Sequence, residues 1–138
     1  MRIDAMNPES VARPAGNYSQ AVRIDLDGGS FLFVSGQVAL DPAGNLVGEG
    51  DMERQTEQVF ENLKAILEAS GGSFAGVVKI STFLTDMTQL GVVRDVRARY
   101  LSDPPPASTT VEVSALFRPE VLIEVDVVAA LAQTDRPG

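Results

Sequence analysis

Apolar positions recur along this chain with two periods, about 2 and about 3.6 residues, and together they predict its elements. In Ser19–Leu26 (SQAVRIDL), Ala21, Arg23 and Asp25 alternate with Val22, Ile24 and Leu26, the pattern of a strand. Asp27-Gly28-Gly29 supplies turn residues, and Phe31–Gln37 (FLFVSGQ) is the returning strand of a hairpin. A second turn is expected at Asp41-Pro42-Ala43-Gly44-Asn45, followed by a loop to Gly50. The period then lengthens. Met52, Thr56, Val59, Phe60, Leu63, Ile66 and Leu67 fall on one helical face, with Asp51 as N-cap and Gly71-Gly72 as the stop. Such a stripe predicts a helix packed on a sheet and carries no chemistry of its own.

Val77–Leu84 (VVKISTFL), rich in β-branched and aromatic residues, predicts a strand. A second helix is expected from about Met87 to Tyr100, capped by Thr85 or Asp86, with Leu90, Val93, Val96 and Tyr100 inward. Asp103-Pro104-Pro105-Pro106 must then run extended. Strands over Ser108–Ser114 (STTVEVS) and Leu122–Leu131 (LIEVDVVAAL) complete the chain. The expected architecture is α+β, in the order β-β-α-β-α-β-β, one mixed sheet with two helices on one face. Two helices cover one side only. The other still carries apolar residues, so association through that face is expected.

The chain of 138 residues is long enough for one core, read as a single domain over 1–138 with 1–15 an N-terminal extension and 132–138 a tail. Apolar residues at 44% and charged residues at 22% are ordinary globular proportions. No apolar run reaches about 18 residues, so no membrane span is expected. The opening MRIDAMNPESVARP has no apolar signal core, and there is no cysteine, so a cytoplasmic location is expected.

Absences narrow the chemistry further. Without His or Cys, thiol nucleophiles, Ser–His–Asp triads and imidazole acid–base catalysis are excluded. No metal or organic cofactor is expected. Any catalysis falls to carboxylates, Tyr, Ser/Thr, Lys/Arg, backbone groups or water. The net charge of −8, without a basic stripe, disfavours nucleic acid as a ligand.

Four segments together resemble the RidA/YjgF family: Gly16–Val22 (GNYSQAV), Phe33–Val47 (FVSGQVALDPAGNLV), Gln55–Met87 and Pro106–Ala129 (PASTTVEVSALFRPEVLIEVDVVA). The likeness runs from about Asn17 to Leu131 and rests on the order and spacing of the segments. It implies a chorismate-mutase-like fold and a homotrimer with small-molecule sites in the clefts between subunits. It also implies hydrolysis of reactive imines and enamines to 2-oxo acids and ammonia. That chemistry needs a carboxylate clamp, a held water and a proton source.

By the resemblance, Glu124 is the acid, in a strand where it shares a face with Asp126 while Ile123, Val125 and Val127 take the other. From pattern alone the favoured reading is a solvent-facing strand carboxylate. Tyr18 matches a pocket aromatic and otherwise reads as a half-buried edge tyrosine. Ser35 matches a pocket serine and otherwise reads as a locally bonded hydroxyl, while Gly36 permits close backbone approach. Thr110 falls where the family holds water with a backbone carbonyl. Tyr100 completes the candidate set.

One position departs from the family pattern. A PARS-type segment with a carboxylate-gripping arginine reads Pro106-Ala107-Ser108-Thr109 here, so Ser108 stands in the arginine's place. A charge-assisted clamp contributes about 1.5–3 kcal/mol, which one serine hydroxyl does not replace. Arg94 is the preferred substitute, with Arg13 and Arg118 as others, each otherwise a surface ion-pairing residue. Three readings stay open: a deaminase, a trimer that binds a small metabolite without turnover, and an endoribonuclease. The last is disfavoured by charge and by the missing histidines.

Overall fold

The computed structural model describes residues 1–132. Eight elements run along them: β1 (Arg2–Met6), β2 (Ala21–Leu26), β3 (Gly29–Gln37), α1 (Met52–Ala69), β4 (Val77–Leu84), α2 (Leu90–Arg97), β5 (Ala107–Glu112) and β6 (Ile123–Ala132). The strands form one sheet in the order β1-β2-β3-β6-β4-β5. All pairings are antiparallel except β4 with β5, which are joined by the α2 crossover. The α+β reading with two helices on one face holds.

The differences from expectation are local. The stretch read as an N-terminal extension contains β1, which pairs along β2 with Ile3 opposite Ile24 and Ala5 opposite Val22. The expected helix from Met87 to Tyr100 is divided. Asp86 caps a single 3-10 turn at Met87–Gln89 by accepting from the Thr88 N–H, and α2 proper begins at Leu90. The expected tail lies outside the described residues apart from Ala132, the last residue of β6.

Helix α1 sits at the centre because its apolar stripe is the longest in the chain. Met52, Val59, Phe60, Leu63, Ile66 and Leu67 are buried against the sheet. The Asp51 carboxylate accepts from the Arg54 N–H 3.1 Å away, satisfying a donor that the first turn leaves free. At the other end Gly71 takes φ +83°, and the Gly72 N–H reaches back to the Leu67 carbonyl at 2.8 Å, a Schellman-type stop. The buried guanidinium of Arg23 donates to the Ser70 carbonyl at 2.7 Å and pairs with Asp25 at 2.9 Å, tying the end of α1 to β2.

Strand β6 lies between β3 and β4. Ile123, Val125, Val127, Ala129 and Leu131 face α1, and Glu124 and Asp126 face the other way. On β2 the apolar row is the surprising one. Ala21 and Arg23 point to the helices, while Val22, Ile24 and Leu26 join Phe31 and Phe33 of β3 on the uncovered side. Phe31 and Phe33 are 40% and 45% exposed there, a contiguous apolar patch on a face no helix covers.

The core account predicts that Ile66→Ala lowers unfolding free energy by about 2–5 kcal/mol in urea titrations, through lost burial and a residual cavity. Lys64→Ala, on the polar side of the same helix, is expected to stay within about 0.5 kcal/mol.

Candidate functional site

A cavity of about 440 Å³ opens on the uncovered side of the sheet beside the junction of β3 and β6. Its floor results from an interruption in the ladder. Val34 pairs with Val127 and Gln37 with Val125, so Ser35 and Gly36 form a bulge. The Glu124 side chain lies over that bulge: a Cβ added at Gly36 would fall on its carboxylate. Glycine here gives the acid its room.

The second wall is the segment between β1 and β2, and buried amides fix it. The Gln20 backbone N–H donates to Asn7 Oδ1 at 2.9 Å, and Gln20 Nε2 donates to the Ala12 carbonyl at 3.0 Å. Gln37 Nε2 in turn donates to Gln20 Oε1 at 2.6 Å. The segment so held presents Ala12, Arg13, Gly16 and Tyr18 to the cavity. The Tyr18 hydroxyl accepts from the Ala15 N–H at 3.1 Å, and the Ser35 hydroxyl donates to the Ser19 carbonyl at 2.6 Å. From α1, Asn62 Nδ2 holds the Val38 and Leu40 carbonyls at 3.1 and 2.9 Å, closing the far end. Phe117, 55% exposed, completes the rim.

Glu124 makes no hydrogen bond or ion pair among the described residues. Partial burial, and secondarily the nearby Asp126 carboxylate, raise its pKa above the usual carboxylate range. Asp126 is raised as well, chiefly by burial, against the opposing pull of Ser81 and Lys79. A half-buried acid that holds its proton more tightly than usual can donate it to a nitrogen, and once ionised it can orient a water.

Of the residues singled out from sequence, the cavity gathers Tyr18, Ser35, Gly36 and Glu124, with Arg13 the cation beside them. The others lie elsewhere on this chain. Tyr100 stacks on Phe60 with ring centroids 5.2 Å apart, and its hydroxyl donates to Glu61 of α1 at 2.8 Å. Burial and then that carboxylate push its pKa up to about 12. Arg94 is exposed on α2. The Arg118 guanidinium sits 5.3 Å from the centre of the Phe117 ring. Ser108 and Thr110 pair with Ile80 and Thr82, whose side chains face the helices, so their row lies on the side of the sheet opposite Glu124. Sequence reasoning missed Gln20, Gln37, Asn62 and Phe117. The only available signal was an unmatched amide or ring in an otherwise apolar or polar stretch. Among the described residues no group of three or more His, Cys, Asp or Glu could hold a metal ion, and no helix is long and apolar enough to cross a membrane.

Residues 9–131 match the family model described as Endoribonuclease L-PSP. The chain belongs to this family. Within it, a RutC family protein of Pyrococcus horikoshii is 42% identical over 121 residues, covering 88% of this chain and 92% of that protein. Reactive Intermediate Deaminase A, chloroplastic, of Arabidopsis thaliana is 35% identical over 95% of this chain and 67% of its own length. The crystal structure of RidA from the Antarctic bacterium Psychrobacter sp. superposes with a TM-score of 0.84 at 35% identity, over 93% of this chain and 99% of that one. The L-PSP family thus includes proteins named as deaminases, and this chain shares their fold.

Because folding raises the Glu124 pKa, the folded state binds that proton more tightly than the unfolded chain does. The acid therefore supports stability below its ordinary value of 4.5, and that support is lost as pH rises through the raised folded value. Glu124→Gln is expected to gain stability relative to the wild type as pH rises from about 4 to 8. Denaturant titrations across that range check it, and a difference that is flat with pH contradicts it.

Proposed function

We propose that this protein is a homotrimeric RidA-like deaminase that hydrolyses a small imine or enamine in the Glu124 cavity to a 2-oxo compound and ammonia. The single observation that carries the reading is the unpartnered, proton-retaining carboxylate of Glu124 lying over Gly36 in a partly apolar cavity. The deaminase name of the Arabidopsis relative supports it.

The chemistry asks little of the protein because the C=N carbon is already electrophilic. Glu124 gives its proton to the imine nitrogen, or to the enamine β-carbon to form the iminium, and the resulting carboxylate orients a water. The water oxygen bonds to the carbon and its proton passes to nitrogen. The carbinolamine then loses ammonia as the C=O bond forms and its hydroxyl proton returns to the Glu124 carboxylate. Tyr18 and Phe117 exclude bulk water from one side of the ligand, and Arg13 attracts anions to the mouth.

The placement of two rows supports a site shared between copies. Glu124, Phe83 and Val111 lie in register across the open face, whereas Ser108 and Thr110 lie on the other face and two strands away. Two strand spacings are about 10 Å. One chain cannot bring both rows to one ligand, so a site that uses both needs a second copy. The apolar patch of Val22, Ile24, Phe31 and Phe33 gives the copies a reason to associate. A second reading, binding without turnover, is favoured by Ser108, which offers a neutral hydroxyl where the resemblance implies a cation. RNA cleavage gains no support from a chain of net charge −8 without histidine.

Generating 2-iminopropionate in situ and timing 2-oxo acid and ammonia release separates the first two readings. The deaminase reading expects release above the buffer rate, lowered about 10²- to 10⁴-fold in Glu124→Gln. Rates equal to buffer for both proteins remove it and leave the binder.

A further inference from the structure

The wall of the Glu124 cavity contains three buried side-chain amides, and two of them are fully committed. Asn62 Nδ2 donates to two carbonyls, and its Oδ1 accepts from Gln58 Nε2 at 2.9 Å. Gln20 Nε2 donates to the Ala12 carbonyl, and its Oε1 accepts from Gln37. Gln37 differs. Its Nε2 donates to Gln20 Oε1 at 2.6 Å and to the Ser35 carbonyl at 3.2 Å, so both amide hydrogens are in use. Two acceptors beside the nitrogen also fix which end of the amide is which. The oxygen Oε1 takes no hydrogen bond among the described residues. Gln37 is only 5% exposed, yet this oxygen is not sealed from solvent. It is left open on the cavity that Gln37 lines.

Its place in the fold makes that oxygen useful. Gln37 closes the bulge on β3 whose Gly36 lies under the Glu124 carboxylate. Its partner in register, Val125, is buried against α1, so the amide lies on the helix side of the strand end and Glu124 on the open side. The cavity touches both. The two bonds from Nε2 hold the amide rigid and polarise it, which strengthens Oε1 as an acceptor. A buried acceptor with a fixed orientation is costly to leave unpaired, so a group entering the cavity there must bring a hydrogen.

We propose that Gln37 Oε1 is the specificity-determining acceptor of this cavity, and that the ligand carries an O–H or N–H donor on the side chain beyond its reacting carbon. This rests on the reading of the cavity as the site of a small imine or carbonyl compound and adds the class of side chain it takes. An alkyl side chain of the same size leaves Oε1 unpaired, and a site built to bond a polar hydrogen rejects the analogue that lacks it. Val38, Leu40 and Phe117 offer contact to carbon without making that distinction.

Isothermal titration calorimetry with size-matched pairs of 2-oxo acids tests the assignment. The pairs are 4-hydroxy-2-oxobutanoate against 2-oxopentanoate, and 2-oxosuccinamate against 4-methyl-2-oxopentanoate. Wild type is expected to bind the donor-bearing member of at least one pair about ten- to a hundred-fold more tightly. In Gln37→Met, which keeps the length of the side chain and removes the amide oxygen, that ratio is expected to fall to within about twofold. Asn62→Ala loosens the wall without touching Gln37 and should keep the ratio, since a merely structural role lowers both affinities alike. Thermal melts of both variants report folding. The proposal is overturned if wild type binds none of the four acids, if it binds both members of each pair equally, or if Gln37→Met keeps the ratio. Binding is read rather than turnover, so failure of the deaminase reading and failure of this one are seen separately.

Discussion

The alternation along β6 is the constraint from which the site follows. Ile123, Val125 and Val127 are drawn against α1 by the same burial that holds the domain together. A strand has two faces, so Glu124 and Asp126 must project from the other one. A slip of one residue would bury two carboxylates and expose three β-branched side chains, at a cost comparable to the whole stability of a domain this size. The acid's position is thus secured by residues that never touch a ligand. The bulge at Ser35–Gly36 then removes backbone and side chain from where that carboxylate lies.

The same sheet leaves one of its faces open on a single copy. Both helices are spent on one face, and the opposite face carries aromatic rings beside ionisable groups. An apolar patch on β2 and β3 shares that face with the half-buried acid of β6. The proposed trimer covers that apolar surface at the seam between copies.

Much of this was legible in the sequence, for identifiable reasons. Helix α1 declared itself because Met52, Thr56, Val59, Phe60, Leu63, Ile66 and Leu67 repeat at helical spacing between an Asp51 cap and a Gly71 stop. Strand β4 was read to the residue because β-branched and aromatic types leave few alternatives. Strand β1 was not, since RIDAM is five residues long, mostly exposed, and defined only by its pairing with β2. The division of the second helix escaped because the Asp86 cap fits a 3-10 turn as well as an α-helix. In the site, strand period placed Glu124 on a face with Asp126, its role as the acid came from the family resemblance, and Gly36 was readable because glycine carries meaning locally. The wall held by Gln20, Gln37 and Asn62 was not, because those bonds join positions far apart in the chain and nothing in an isolated amide announces its partner.

The central claim is that the uncovered face is a seam between copies. Sedimentation equilibrium on the full chain measures this most directly. The account predicts a species of three times the 14.7 kDa chain mass, persisting on dilution to low micromolar concentration and dissociating when Phe33 is replaced by Asp. A stable species of single-chain mass would contradict it, because the two halves of the site would then never meet.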